Sequence, residues 1–399
     1  MKKEGKTLIL CEVFYPEDFI INDLARQWQK EKKDFEVLTR TPSYPFGKVF
    51  DGYKNRVYHT TELGSVKVHR VPVLQGYQKS MTIKILNYFM FVFWSTLVAL
   101  FIGRKFNKVF IYQTGPLTLA TAGIILKKIY KADVTIWTQD LWPETVFACG
   151  VKKTKLISVP LDNFVKWVYK NCDNILISCE GFAERIHKFV PEKNLTFVPN
   201  WSLMKYEPKK EVELPGEHNF TFAGNIGKVQ NLDNIVRGFN YFVKENPSSY
   251  LNIIGDGSYL NELKEIVEQE KIPNVNFTGR IPLKDMSDYY KASDVLIISL
   301  VDVPLYERMI PSKFQAYLTT AKPIYSIFKG EVSHIVDKYE IGYTAHPSDV
   351  EDIAQGFSKF KELSEEELSI ISERSQYLSD SVFNRERIIS NINNNVWTN

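Results

Sequence analysis

The amino-acid sequence predicts an α/β protein made of two doubly wound, Rossmann-like parallel-sheet domains. Three observations carry that expectation. Short apolar, β-branched runs alternate with helical periods, the pattern of strands buried on both faces between covering helices. A Pro-, Gly- and charge-rich stretch interrupts the alternation near the middle, and the same pattern then starts again. The 399 residues, 44% hydrophobic and 24% charged, supply two sizeable cores at about 150 residues per domain.

In the first half, strands are expected at residues 7–13, 35–39, 66–73, 109–112, 134–138 and 174–178, with helical periods at 117–130 and 156–169. Residues 202–219 break the pattern with Pro208, Pro215, Gly216 and a Lys/Glu cluster. In the second half, strands are expected at 220–223, 251–254, 275–278, 295–299 and 323–327, and 364–399 reads as mostly helix. The expected organisation is a first domain over 1–205, a linker over 206–218, a second domain over 219–380, and a closing helix over 381–399 that crosses back to the first domain. The two sheets are expected to face each other across a cleft lined by their carboxyl edges.

Net charge is +3, from 50 Lys and Arg against 47 Asp and Glu, which argues against a dedicated nucleic-acid binder. The charge is unevenly spread. Residues 1–205 hold 30 basic and 18 acidic side chains, and the remainder hold 20 and 29. A basic first half is expected to meet an anionic surface or ligand. The four cysteines, Cys11, Cys149, Cys172 and Cys179, form no CxxC pair, and the six histidines form no HxxxH or HExxH pattern. No disulfide framework and no protein-built metal site are expected. The cysteine usage fits a reducing cytosol, and Met1-Lys2-Lys3 leads straight into a strand-like run without the apolar core of a signal peptide.

Residues 85–102 form an 18-residue apolar run broken only by Asn87, Ser95 and Thr96, flanked by Lys79, Lys84, Arg104 and Lys105. As a helix it would reach about 27 Å, marginal against a hydrocarbon core of about 30 Å. The strand-like runs on either side belong to one expected sheet, and a single crossing would place them on opposite sides of a bilayer. A buried helix and a membrane-dipping helix are the two readings left.

Three turns offer chemistry. Strand 220–223 runs into Gly224-Asn225-Ile226-Gly227-Lys228-Val229-Gln230, where glycines let backbone N–H groups approach an anion at a helix start. Strand 251–254 runs into Gly255-Asp256-Gly257, a GxG without the third glycine of a dinucleotide fingerprint. Pro311 and Ser312 open a helix whose first turn carries Lys313. Steric turns and an ordinary helix cap explain each of these in isolation. Their order and spacing together point to a site.

Taken together, FAGNIG at 222–227, LNIIGDGSYLNEL at 251–263, VNFTGRIP at 275–282 and IPSKFQAYL at 310–318 with KPI at 322–324 resemble the nucleotide-binding domain of the family 4 retaining glycosyltransferases, which have the GT-B fold. In the first half, Tyr15-Pro16-Glu17, Ile21-Asn22-Asp23-Leu24, Asp140-Leu141-Trp142-Pro143-Glu144 and Val198-Pro199-Asn200-Trp201 resemble the capsule and O-antigen branch of that family.

The resemblance implies transfer of a sugar from a nucleoside-diphosphate sugar, UDP favoured over GDP, to a polyprenyl-diphosphate-linked saccharide. It also implies retention at the anomeric carbon, no metal, no cofactor, and a peripheral position on the inner face of the cytoplasmic membrane. Donor contacts are implied for Gly224, Asn225, Gly227, Lys228, Gln230, Gly255, Asp256, Gly257, Pro311, Ser312, Lys313 and Gln315. Acceptor contacts are implied for Asn22, Asp23, Gln139 and Trp142, and Asp140, Glu144, Glu307 and Lys313 are the catalytic candidates.

The chain departs from the family pattern in three places. Asn225 and Gln230 stand where the family has a diphosphate-binding Arg and Lys, which puts that charge on Lys313 and Lys228. The ribose-binding glutamate position falls on Ala316 and its partner on Arg308, with Glu307 and Gln315 each one residue away. A histidine often found before the first domain's aspartate is Gln139 here. The alternatives to a transferase are a GT-B sugar-nucleotide 2-epimerase and a catalytically silent GT-B partner subunit. Lys152, Lys153, Lys155 and Lys170 around the run 156–169, with the basic flanks of 85–102, are compatible with an anionic membrane surface or with ordinary packing under a basic one.

Overall fold

The computed structural model describes residues 5–77, 80–148 and 150–397. The expectations resting on Met1-Lys2-Lys3, Lys79 and Cys149 lie outside the described residues. The chain divides into two compact units, Met1–Pro199 with Ile389–Asn399, and Asn200–Ile388.

In the first unit, β1 (Thr7–Cys11), β2 (Phe35–Arg40), β3 (His59–Leu63), β4 (Val66–Val71), β5 (Lys108–Gln113), β6 (Asp133–Thr138), β7 (Asn174–Ile177) and β8 (Leu195–Phe197) form one sheet in the order β3-β4-β2-β1-β5-β6-β7-β8. Neighbours are parallel except in the β3–β4 hairpin. Every residue of β1, β2 and β5 is buried, as a sheet covered on both faces requires. The sequence pattern did not show β3 because its residues alternate between half-buried and exposed at the sheet edge.

In the second unit, β9 (His218–Ala223), β10 (Ser249–Ile254), β11 (Val275–Gly279), β12 (Val295–Ser299), β13 (Ile324–Ile327) and β14 (Gly342–Ala345) lie in the order β11-β10-β9-β12-β13-β14, all parallel. The helices Leu232–Val243 and Val350–Lys361 cover one face. Their aromatic side chains meet the sheet around Phe357, whose ring lies 4.8 Å from Phe220 and 5.1 Å from Tyr325 in edge-on contacts, and 5.4 Å from Phe239.

Three boundaries differ from expectation. The first unit ends at Pro199, short of 205, because the following segment is held by the second unit: Glu207 N donates to Ser287 Oγ (3.2 Å), and Lys209 N and Lys210 N donate to Asp288 Oδ1 (2.5 and 3.0 Å). The expected linker is therefore anchored along part of its length. The closing segment is two helices, Glu365–Ser381 and Arg385–Val396, and only from Ile389 does it join the first unit. There Trp28 Nε1 donates to Asn393 Oδ1 (2.7 Å), and Asn174 Nδ2 donates to Asn395 O (2.9 Å).

The apolar run 85–102 is neither fully buried nor free. It lies within the helix Met81–Ile102, which packs one face on the first unit through Asn87, Phe91, Ser95, Val98 and Ala99. Asn87 Oδ1 accepts from Leu74 N (2.8 Å), and Tyr130 Oη donates to Leu100 O (3.0 Å).

Phe357 is fully buried at the centre of the aromatic cluster, so Phe357→Ala is expected to cost about 3–5 kcal/mol, read as a lowered midpoint in urea denaturation.

Candidate active site

The second unit's site forms where its strand order reverses. β9 pairs with β10 on one side and β12 on the other, so the strand order reverses between β9 and β12, the place where open α/β sheets leave a crevice at their carboxyl ends. Gly224 (φ +145°) turns the chain after β9 and donates its amide to Ile254 O (2.9 Å), while Ile226 N donates to Asp256 O (2.9 Å). The two turns touch so closely that a Cβ at Gly255 would stand 1.8 Å from Gly224 O, so only glycine fits. Asp256 Oδ1 accepts from Gly257 N (2.7 Å), and on the far side Val301 N donates to Val229 O (3.0 Å).

This corrects the expectation of a row of amides at a helix start. Lys228–Gln230 is a 3-10 turn, and the long helix begins only after Asn231. Of residues 224–227, those whose amides have no protein acceptor among the described residues are Asn225 and Gly227.

Lys313, on the short helix Ser312–Leu318, reaches this turn from the other side of the crevice. Its ammonium donates to Gln230 Oε1 (2.9 Å), stands 3.9 Å over the Phe222 ring and lies 3.3 Å from where a Gly224 Cβ would be. No carboxylate pairs with it among the described residues, and burial lowers its pKa to about 7. An enclosed ammonium without a counter-ion is a ready partner for an anion.

The other donor-side candidates separate. Lys228 is exposed and spent on Glu262 (3.0 Å). Gln315 is buried, and its amide, turned so that the nitrogen donates, is taken up by Pro311 O (3.1 Å) and Ser312 O (3.0 Å) of its own helix start, so it is not presented to a ribose. Pro311 caps that helix with extended backbone. Glu307 sits in the preceding 3-10 turn and pairs with Lys329 (3.2 Å), which also meets Asp302 (3.6 Å). Asp302 in turn reaches His346 (3.5 Å), so these charges follow the carboxyl ends of β12, β13 and β14.

The first unit has its own switch point, between β1 and β5. Glu12 follows β1 directly, is 5% exposed, and pairs with Arg40 at the end of β2. Arg40 also donates to Tyr77 Oη (3.3 Å). Asp140, two residues past β6, accepts from Gly115 N. Gly115 (φ +92°) lies beside the Glu12 carboxylate, so that a Cβ there would stand 3.2 Å from Oε2. Two carboxylates from different strand ends therefore flank one glycine. Burial pushes both pKa values up, against Arg40 for Glu12 and against the Gly115 amide for Asp140.

Glu144 opens the short helix Glu144–Ala148 and pairs with Arg185, while its Oε2 and Trp142 Nε1 are buried without a partner among the described residues. Gln139 N donates to Gln113 O (3.0 Å) at the end of β6. Asp23 is half-buried in the first turn of the helix Ile20–Lys30. Asn22 differs from its expected role. It is buried and bridges Tyr15 N (2.8 Å) and Glu17 O (2.6 Å), holding the loop after β1 instead of facing an acceptor. Glu12 and Arg40 were missed, although a charge placed directly at the end of a fully buried strand was the available signal. Among the described residues, no three His, Cys, Asp or Glu side chains are grouped to hold a metal ion.

Comparison with known proteins places this geometry. Residues 205–376 match the family described as glycosyl transferases group 1. A probable glycosyltransferase, WbjE, of Pseudomonas aeruginosa is 24% identical over 263 residues, covering 63% of this chain and 65% of that protein. The chain thus spans just under two thirds of that relative's length. Sucrose-phosphate synthase from Thermosynechococcus elongatus superposes with a TM-score of 0.70 at 13% identity, covering 98% of this chain and 97% of the other. Anabaena HepE, solved in complex with UDP and glucose, superposes with a TM-score of 0.64 at 11% identity, covering 98% and 99%. Within the second unit, residues 205–376 are thus similar to the group 1 glycosyltransferases, and the fold that runs the length of the chain is GT-B.

Proposed function

We propose that the chain is a retaining glycosyltransferase whose second unit holds a nucleoside-diphosphate sugar, UDP favoured, and whose first unit holds a lipid-linked saccharide in cell-surface polysaccharide assembly at the cytoplasmic membrane. The observation that carries the donor half is the Lys313 ammonium at Gln230 Oε1. By its place in the sequence, position 230 is where the resembled family keeps its diphosphate lysine. Here a cation from another helix reaches the same residue, so the leaving diphosphate meets a positive charge although Asn225 and Gln230 carry none. The nucleotide complex of HepE supports the same donor class.

In this reading the bond from the anomeric carbon to the phosphate oxygen breaks and a bond to the acceptor hydroxyl forms on the same face. The acceptor proton passes to the leaving diphosphate oxygen. Lys313 stabilises the charge developing on that oxygen, and no metal is required. Glu12 and Asp140, flanking Gly115, orient acceptor hydroxyls.

Two outcomes are expected. UDP should bind in calorimetry, and Lys313→Ala should weaken it about 10- to 100-fold, the loss of one charge-assisted hydrogen bond. Free Lys313 is charged below pH 7 and neutral above it, whereas a diphosphate favours the charged form. Binding above pH 7 should therefore take up a proton, seen as a buffer-dependent heat, and affinity should fall as pH rises from 7. Failure to bind UDP or GDP would overturn the donor reading in favour of a silent partner subunit.

Glu12→Gln should lower turnover with a polyprenyl-diphosphate-linked acceptor about tenfold or more while leaving the UDP affinity unchanged. Conversion of a nucleotide sugar to its 2-epimer without acceptor would instead make the protein an epimerase.

A further inference from the structure

The helix Met81–Ile102 is turned inside out for a surface that meets water. At about 100° per residue, Ile85, Leu86, Phe89, Phe93, Leu97 and Phe101 share one side, and all are exposed, Phe101 to 85%. The opposite side, packed on the first unit, holds the helix's polar Asn87 and Ser95 together with Phe91, Val98 and Ala99. An ordinary surface helix has the reverse arrangement.

The helix cannot cross a bilayer while the sheet is intact. It joins β4 to β5, and in that sheet β4 and β5 are separated only by β2 and β1. Its two ends are tied down by the Asn87–Leu74 and Tyr130–Leu100 hydrogen bonds. The apolar side therefore runs along the surface, about 33 Å long at 1.5 Å per residue.

The apolar surface does not stop at this helix. The helix Ala120–Tyr130 packs beside it and the helix Lys155–Asn171 packs beside that one, adding exposed Ile129, Val159 and Leu156, the last exposed to 86%. Residues 81–105, 120–131 and 150–171 together carry eleven Lys and Arg and a single acid, Asp162. A second copy of this chain laid against that face would bring like charges together with almost no acids to pair them. An anionic lipid surface answers both the apolar side and the cations around it.

We propose that this face of the first unit lies in the plane of an anionic leaflet, with the helix Met81–Ile102 sunk sideways into it and the lysines of the neighbouring helices among the headgroups. This deepens the lipid-linked acceptor part of the reading above and is independent of its donor part.

Flotation of the full chain on vesicles tests it, with phosphatidylcholine alone compared with a phosphatidylcholine–phosphatidylglycerol mixture. The wild type should float with the mixed vesicles and far less with the neutral ones. Phe89→Ser/Phe93→Ser/Phe101→Ser should lose binding about tenfold or more, and Lys152→Gln/Lys153→Gln/Lys155→Gln should lose the preference for the mixed vesicles. All six side chains are exposed, so both variants should keep the wild-type melting temperature and nucleotide affinity. A wild type that stays with neither vesicle overturns the proposal, as does one that floats equally with both. A dimer that the triple serine variant converts to monomer would assign the face to a second copy. None of these results depends on whether UDP binds.

Discussion

Parallel strands cannot be closed by a tight turn, so each parallel pair in these two sheets is separated by a crossover of a dozen or more residues. That separation sends every strand except the antiparallel β3 out of its sheet at the same edge. In the second unit it collects the turns after β9, β10, β12, β13 and β14 on one rim, although they are spread from Gly224 to His346 in the chain. The fit there is tight enough to dictate composition: Gly255 has no room for a side chain against Gly224 O. In the first unit the same geometry sets Glu12 and Asp140, from different strand ends, on either side of Gly115.

Within that frame, the placement of Lys313 has an electrostatic logic. A lysine on the β9 turn itself would stand in solvent much as Lys228 does, where Glu262 neutralises it. Brought in from the helix Ser312–Leu318, the ammonium instead rests on the Phe222 ring and a neutral amide oxygen. It is desolvated without being neutralised, so its charge is sensitive to whatever enters the crevice.

Much of the architecture was legible because buried parallel strands read as short continuous apolar runs. The strands that were not read, β3, β8 and β14, are edge strands whose residues are half-buried or exposed apart from Ala345, with no such run. Local site chemistry was legible where backbone geometry demands a residue type, as at Gly224 and Gly255. It was illegible where the outcome depends on which way a side chain turns. Asn22 and Gln315 look like ligand contacts in sequence, yet each amide is consumed by nearby backbone. The Glu12–Arg40 pair joins residues 28 apart through the register of β1 on β2, which no local pattern encodes.

The closing helix, joined to the first unit from Ile389 onward, makes that unit discontinuous in the chain. A chain emerging from the ribosome would present Trp28 and Asn174 long before Asn393 and Asn395, their hydrogen-bond partners, exist. The second unit, by contrast, is a single uninterrupted segment and has all its residues by Ile388. The unit that is synthesised first is therefore the one that is finished last, with its indole and amide sites waiting open while the other folds.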